Sequence, residues 1–292
     1  MDKRELFAKM KLCGAMAIYG SIGIFVKFLT LPSGFLVFLR ASIGALFLLP
    51  FVIFGKNKFN FASIKKNLAP LLLSGTALGA NWVLLFEAYK YTDVSIATLC
   101  YYLAPVFIVL FSPLVLKEKL TVQKLLGVFL ALFGMVLISG VLSGTESGSF
   151  IGIILGIGAA ILYATVVFLN KRIKDVSVYD KTITQFVVSM IITLTYTFFT
   201  EQITSDMFGF TSIILILVVG VIHTGVAYAV YFSSLKDVKA HTAAIFSYID
   251  PILALILAFV ILKERMDLPQ IIGAILVLGG AFLSEIKLKG SK

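Results

Sequence analysis

The chain has 292 residues, 60% hydrophobic and only 14% charged, against about 25% charge in an ordinary soluble domain. With a mean hydropathy of +1.04 it carries too little polar side chain to coat a water-soluble surface, which excludes a soluble globular protein. In such a chain the formal net charge of +10 reflects Lys and Arg in membrane-flanking loops, not a nucleic-acid surface.

Ten apolar segments follow one another. The first, 10–29, comes after MDKRELFAKMK with no small-residue cleavage site, and reads as a retained helix. The others fall at 34–54, 67–88, 94–115, 121–140, 150–170, 180–200, 210–234, 240–262 and 268–286. Each approaches the roughly 20 residues that a helix needs to cross a bilayer. The connections are short and carry turn or charged residues (GKNKFNFASIKKN, KEKLTVQ, KERMDLP). Cys13 and Cys100 sit far apart in apolar runs, so neither a disulfide framework nor a metal motif is expected, and no cofactor.

With the N-terminus in the cytoplasm, 20 of the 25 Lys and Arg fall on the cytoplasmic side and three, Lys90, Lys263 and Arg265, on the other. Lys27 and Arg40 lie within helices. The positive-inside rule then predicts a cell-membrane protein with both termini cytoplasmic.

A repeat organises the chain. YYLAPVFIVLFSPLVLKEKLTVQKLLGVFLALFGMVLIS aligns without a gap on SYIDPILALILAFVILKERMDLPQIIGAILVLGGAFLSE. The register matches Tyr102 to Tyr248, Pro105 to Pro251, Lys117-Glu118 to Lys263-Glu264, Gly127 to Gly273 and Gly134 to Gly280. Upstream, AIYGSIGIFVK matches ILYATVVFLNK, pairing Tyr19 with Tyr163 and Lys27 with Lys171. The expected fold is an all-α polytopic membrane protein of ten helices in two five-helix repeats, 1–145 and 146–292. An odd helix number inverts the second repeat, an arrangement typical of transporters that bind substrate near the midplane.

Proline in the middle of the fourth segment, a Leu-Lys-Glu end and a Gly-spaced fifth segment, all repeated, resemble the EamA branch of the drug/metabolite transporter superfamily. The resemblance covers nearly the whole chain. It implies a central cavity between the halves and alternating-access movement of small metabolites, often amino acids or their relatives, commonly outward. Three positions depart from the family pattern: Asp250-Pro251 where Glu-Pro is frequent, Tyr19-Gly20-Ser21 where a Trp is frequent, and Lys-Glu where Gly-Glu is frequent.

Ionisable groups inside a membrane are costly, so each is a candidate for function. Asp250 and His223 both count to the midplane, on adjacent segments of one repeat. They form either a proton-coupling pair or local hydrogen bonds around the break at Pro251 and to a neighbouring carbonyl. Lys27, Arg40 and Glu87 count to the outer parts of segments one to three. The expected arrangement is a charge pair of Glu87 with Arg40 or Lys27; the alternatives are a substrate carboxylate on Arg40 and snorkelling of Lys27. Candidate substrate-binding residues are Asn81 and Trp82, then Thr98, Tyr101 and Tyr102, then Tyr228 and Tyr231, then Ser247 and Tyr248. Aromatic walls with a few hydrogen-bonding groups suit amines or any amphipathic metabolite. The Lys-Glu ends are read as topology determinants with loop salt bridges. Gly75/Gly79 and Gly152/Gly156 are read as packing positions within the monomer.

The leading reading is a secondary transporter, an exporter of a small polar metabolite such as an amino acid or amine, either proton-coupled through Asp250 or His223 or working as a facilitator. Its partners are the substrate and the lipid bilayer, with no nucleic acid, as a monomer or a homodimer. The alternative is an intramembrane enzyme acting on a lipid-like substrate, but neither HExxH nor a serine elbow is present.

Overall fold

The computed structural model describes residues 3–55, 59–117, 120–138, 149–235, 237–238 and 240–285. Glu118 and the basic C-terminal residues Lys287, Lys289 and Lys292 lie outside them. Every regular element among the described residues is helical. The first repeat contains α1 (Lys3–Lys27), α2 (Ser33–Ile53), α3 (Phe61–Lys66), α4 (Leu68–Tyr91), α5 (Val94–Tyr101), α6 (Ala104–Leu116) and α7 (Val122–Ile138). The second contains α8 (Phe150–Arg172), α9 (Val178–Thr200), α10 (Phe210–Leu217), α11 (Ala227–Ser234), α12 (Ala240–Ser247), α13 (Ile249–Leu257) and α14 (Leu268–Glu285). A π-helical stretch, Val218–Val226, joins α10 to α11, and another, Ala258–Leu262, continues α13.

All ten apolar segments are helical over most of their described residues, with turns at Tyr102, Leu103 and Tyr248 inside the fourth and ninth. Among the described residues eight helices are long and apolar enough to cross a membrane, and Val122–Ile138 and Leu268–Ser284 are shorter apolar helices. The short helix α3 was not expected from its loop; Asn60 Oδ1 starts it by accepting from the Ser63 amide at 3.1 Å.

The repeat is written into the backbone. Proline lacks an N–H, and its ring crowds the carbonyl four residues earlier. Pro105 separates α5 from α6 and Pro251 separates α12 from α13, each break beginning one residue beyond that fourth residue, whereas Pro50 and Pro113 lie inside unbroken α2 and α6. Both broken helices end on a left-handed lysine at the same repeat position, Lys117 at φ 58° and Lys263 at φ 60°. Broken helices are where membrane transporters expose backbone groups to a cavity.

Packing follows the same exchange. α7 lies along α14, α4 on α8 and α9, α2 on α9 and Val218–Val226, and α1 on α11 and α13. Between α7 and α14, a Cβ on Gly127 would stand 2.5 Å from the Gly280 carbonyl, and one on Gly134 would stand 2.6 Å from that of Gly273. Low residue numbers on one helix meet high numbers on the other, so these two equivalent helices run antiparallel. The two small-xxx-small pairs also pack inside the chain: Gly75 and Gly79 on α9, Gly152 on Thr92 and Gly156 on Cys100. A buried polar junction fixes α4, α8 and α9, with Gln185 Nε2 donating to Ser74 Oγ at 2.7 Å and to Asn170 Oδ1 at 2.8 Å.

Candidate functional site

A cavity of about 380 Å³ lies between the two repeats. Of the residues singled out in the sequence, Trp82, Thr98, Tyr101, Tyr102, Tyr228, Tyr231, Ser247, Arg40 and Asp250 line it. α4 supplies Trp82; the broken helices supply Thr98, Tyr101, Tyr102, Ser247 and Asp250; α11 supplies the two remaining tyrosines. Sequence reasoning missed two walls, Tyr19 and Tyr163. The repeat register had carried the signal, since these two are matched across the halves. Tyr19 packs edge-on against Tyr228 at 5.6 Å, and Tyr163 against Tyr101 at 5.6 Å.

Two of the substrate-binding candidates stand apart from the cavity lining. Asn81 is fully buried, and its amide nitrogen donates to the Ala159 carbonyl, tying α4 to α8. Tyr248 is buried between the broken helix and α14, edge-on to Phe282 at 5.4 Å. Its repeat partner Tyr102 lines the cavity and faces the Asp250 carboxylate. The register places Ala104 opposite Asp250, so the acidic group belongs to one repeat alone.

The charge pairings differ from expectation. Glu87 pairs with neither Arg40 nor Lys27. It accepts from Ser33 Oγ at 2.6 Å and pairs with Lys90 at 2.9 Å, one turn along its own helix. Lys27 donates to the carbonyls of Tyr89, at 2.6 Å, and Thr92, at 3.3 Å, which end α4. Arg40 turns inward: its guanidinium carbon lies 3.9 Å from the Trp82 ring centroid, and its Nε donates to Thr224 Oγ1 at 3.2 Å. His223 does not meet Asp250 either. Its Nε2 lies 3.0 Å from Ser21 Oγ, its Nδ1 lies 3.2 Å from the Val218 carbonyl, and its ring packs on Phe25. The physical reason is α1, whose Gly20 abuts the Asp250 backbone while the next residue, Ser21, faces His223.

The Lys-Glu end of the second repeat is also more than a topology signal. A helix start leaves four amides without partners. At α5 the capping position is Asp93, whose side chain makes no cap bond. Instead Glu264, from the other repeat, accepts from the Val94 amide at 2.8 Å, the Ser95 amide at 3.0 Å and Ser95 Oγ at 2.7 Å. The same occurs at α2. Pro32 holds the cap position without a cap bond, and Glu201 accepts from the Gly34 and Phe35 amides at 2.8 and 2.9 Å. Two second-repeat carboxylates thus tie two first-repeat helix starts on the face where α1 ends. Charge-assisted bonds of this kind contribute about 2 kcal/mol or more. Glu264→Ala is expected to lower stability by about 2 kcal/mol, seen as a lower melting temperature in detergent. Asp93 lies beside this cap, and burial together with the Glu264 charge raises its pKa. A raised carboxylate pKa adds stability at acid pH that is lost as pH rises through it. Asp93→Asn should therefore raise the melting temperature at neutral pH.

A model of the EamA-like transporter family matches residues 6–140 and 150–286, nearly the whole chain in two copies. The chain belongs to the EamA-like transporter family. It is a multi-pass membrane transporter of the drug/metabolite type. It is 32% identical over 292 residues to the uncharacterized transporter YxxF of Bacillus subtilis (strain 168), covering 99% of this chain and 93% of that protein. It is 26% identical over 227 residues to a probable amino-acid metabolite efflux pump of Escherichia coli (strain K12), covering 73% and 75%. A solved crystal structure shares the fold with a TM-score of 0.68 at 17% identity, over 95% of this chain and 96% of that one.

Proposed function

We propose that this EamA-like chain is a secondary transporter that moves a small polar metabolite, such as an amino acid or amine, by alternating access, and that it works as an exporter. The single observation behind this reading is the 380 Å³ cavity between the repeats, walled by aromatic rings and holding one cation and one carboxylate. Polar groups at that depth are costly unless a permeant species uses them. The name of the E. coli relative, an amino-acid metabolite efflux pump, supports the same class.

In this reading the two shorter helices α7 and α14 also cross, which brings the number of crossings to ten. Their antiparallel contact supports an inverted pair of repeats, 1–145 and 146–292. A two-fold axis along the membrane normal would leave equivalent helices parallel; an axis in the membrane plane reverses them. The charge bias of the connections supports cytoplasmic termini in the cell membrane.

Purified protein in liposomes tests the function. Saturable, concentration-dependent flux of radiolabelled amino acids is expected. Ala104→Phe, which fills the cavity from α6, should reduce that flux severely while the protein keeps its elution profile. Product formation without vectorial movement would instead favour an intramembrane enzyme.

A further inference from the structure

Arg40 is buried, with 4% of its surface exposed, and it lines the cavity. An arginine side chain carries five N–H donors and, in ordinary proteins, a permanent charge. Here one donor, Nε, is used by Thr224. The flat face is covered by Trp82 at 3.9 Å and, further off, by Phe86 at 5.2 Å. Among the described residues no carboxylate lies within ion-pair distance, and the terminal nitrogens make no hydrogen bond. Cation–π contact offsets about 2 kcal/mol at a desolvated site, whereas leaving a buried ion without a counter-ion costs several. The remaining donors include the end-on edge of the fork, the edge that donates two parallel hydrogen bonds to the oxygens of one carboxylate.

The surroundings hold that edge ready. Thr224 is fully buried, and its hydroxyl also donates to the Val219 carbonyl at 2.9 Å inside the π-helical stretch Val218–Val226. Gly44, one turn beyond Arg40 on α2, abuts the Thr224 methyl. Thr224 is thus fixed by its own backbone and by α2, and fixes Nε in turn. Asp250, the other charge in the cavity, faces Tyr102 and is no partner of Arg40.

We infer that Arg40 is the docking group for a carboxylate on the transported substrate, received end-on by its two terminal nitrogens, with the substrate's apolar part against the aromatic walls. This rests on the transporter reading and narrows it: an amine lacking a carboxylate is not a substrate. Thr224 is a positioning residue for this contact.

The chain has one tryptophan, and it lies directly beneath Arg40, so its fluorescence reports this site and no other. Titrating purified protein with 3-phenylpropionate, its neutral amide 3-phenylpropanamide, and phenylethylamine separates the chemistries. Saturable quenching or shift of Trp82 emission is expected with 3-phenylpropionate. The amide and the amine should bind about 10- to 100-fold more weakly, the worth of a charge-assisted pair. Arg40→Gln should remove the difference between carboxylate and amide, and Thr224→Val should narrow it while leaving the fold intact. The ligand comparison needs only the wild-type protein, so it stands even if Arg40→Gln does not fold. Amide or amine binding as tight as the carboxylate, no carboxylate response, or full discrimination retained by Arg40→Gln overturns the inference. Flux into liposomes with no carboxylate preference would defeat the docking group and leave transport standing. Carboxylate binding without flux would do the reverse.

Discussion

Gly134→Leu is expected to abolish the folded protein, with loss of the monodisperse peak on size-exclusion chromatography in detergent, while Gly14→Leu leaves yield unchanged. The contrast is one of space. A Cβ on Gly134 meets the Gly273 carbonyl oxygen at 2.6 Å and the Val277 amide nitrogen at 2.8 Å, whereas one on Gly14 meets nothing within 4 Å. Backbone atoms of a helix cannot swing aside as a side chain does, so α14 must move away from α7 as a body. Overpacking a core usually costs about 1–3 kcal/mol; a clash with rigid backbone falls at the upper end or above it. Gly273, which meets the Gly134 carbonyl at the same 2.6 Å, should be as intolerant. Gly279, on α14 beside an intolerant neighbour, has nothing within 4 Å and should accept alanine freely. Equal folded yield for Gly134→Leu and Gly14→Leu would show that the α7–α14 contact is dispensable.

The elements that could be read from the sequence are those set by local chemistry. Proline alone did not place the breaks, since Pro50 and Pro113 sit inside continuous α2 and α6, but long apolar runs specify helices whatever surrounds them, so the segments were legible. So was the repeat, because Pro105/Pro251 and the matched glycines are positions where backbone geometry admits few residues. What could not be read was direction around a helix axis combined with tertiary neighbours. Arg40 and Glu87 count to similar depths and so suggested a pair. But Trp82 and Glu87 are five residues apart on α4, about 140° around it at 100° per residue. Arg40 stacks on the first and is therefore turned away from the second. Similarly, depth alone put His223 beside Asp250, yet α1 passes between them. The carboxylates Glu201 and Glu264 were illegible as caps because the amides they receive belong to the other repeat, more than 160 positions away in sequence. The local signal there was negative: Pro32 and Asp93 stand at cap positions and cap nothing.

Asp250→Asn is expected to leave the protein folded and to remove the dependence of flux on a proton gradient. Asparagine keeps the size and hydrogen-bonding outline of aspartate but cannot take up or release a proton, so it separates charge from shape. The group is placed where that matters. It lies at the start of α13, just after the helix break, lines the cavity, and has no basic side chain within ion-pair distance among the described residues. The titratable groups that feel its charge are the tyrosines Tyr89, Tyr101 and Tyr102, contributed by α4 and the broken helix of the first repeat. Across α1, the Gly20 helix surface touches its backbone so closely that a side chain there would collide with the Asp250 carbonyl. A change of charge at Asp250 is therefore felt at the contact between α1 and α13, a contact between the two repeats and, in the proposed alternating-access reading, one that must rearrange. Asp250→Glu, which restores the proton but lengthens the side chain, should recover part of the gradient dependence. The measurement is flux from liposomes with and without an imposed pH difference. Gradient dependence unchanged in Asp250→Asn would assign proton coupling elsewhere or to no residue at all, and would leave Asp250 as a polar wall of the cavity.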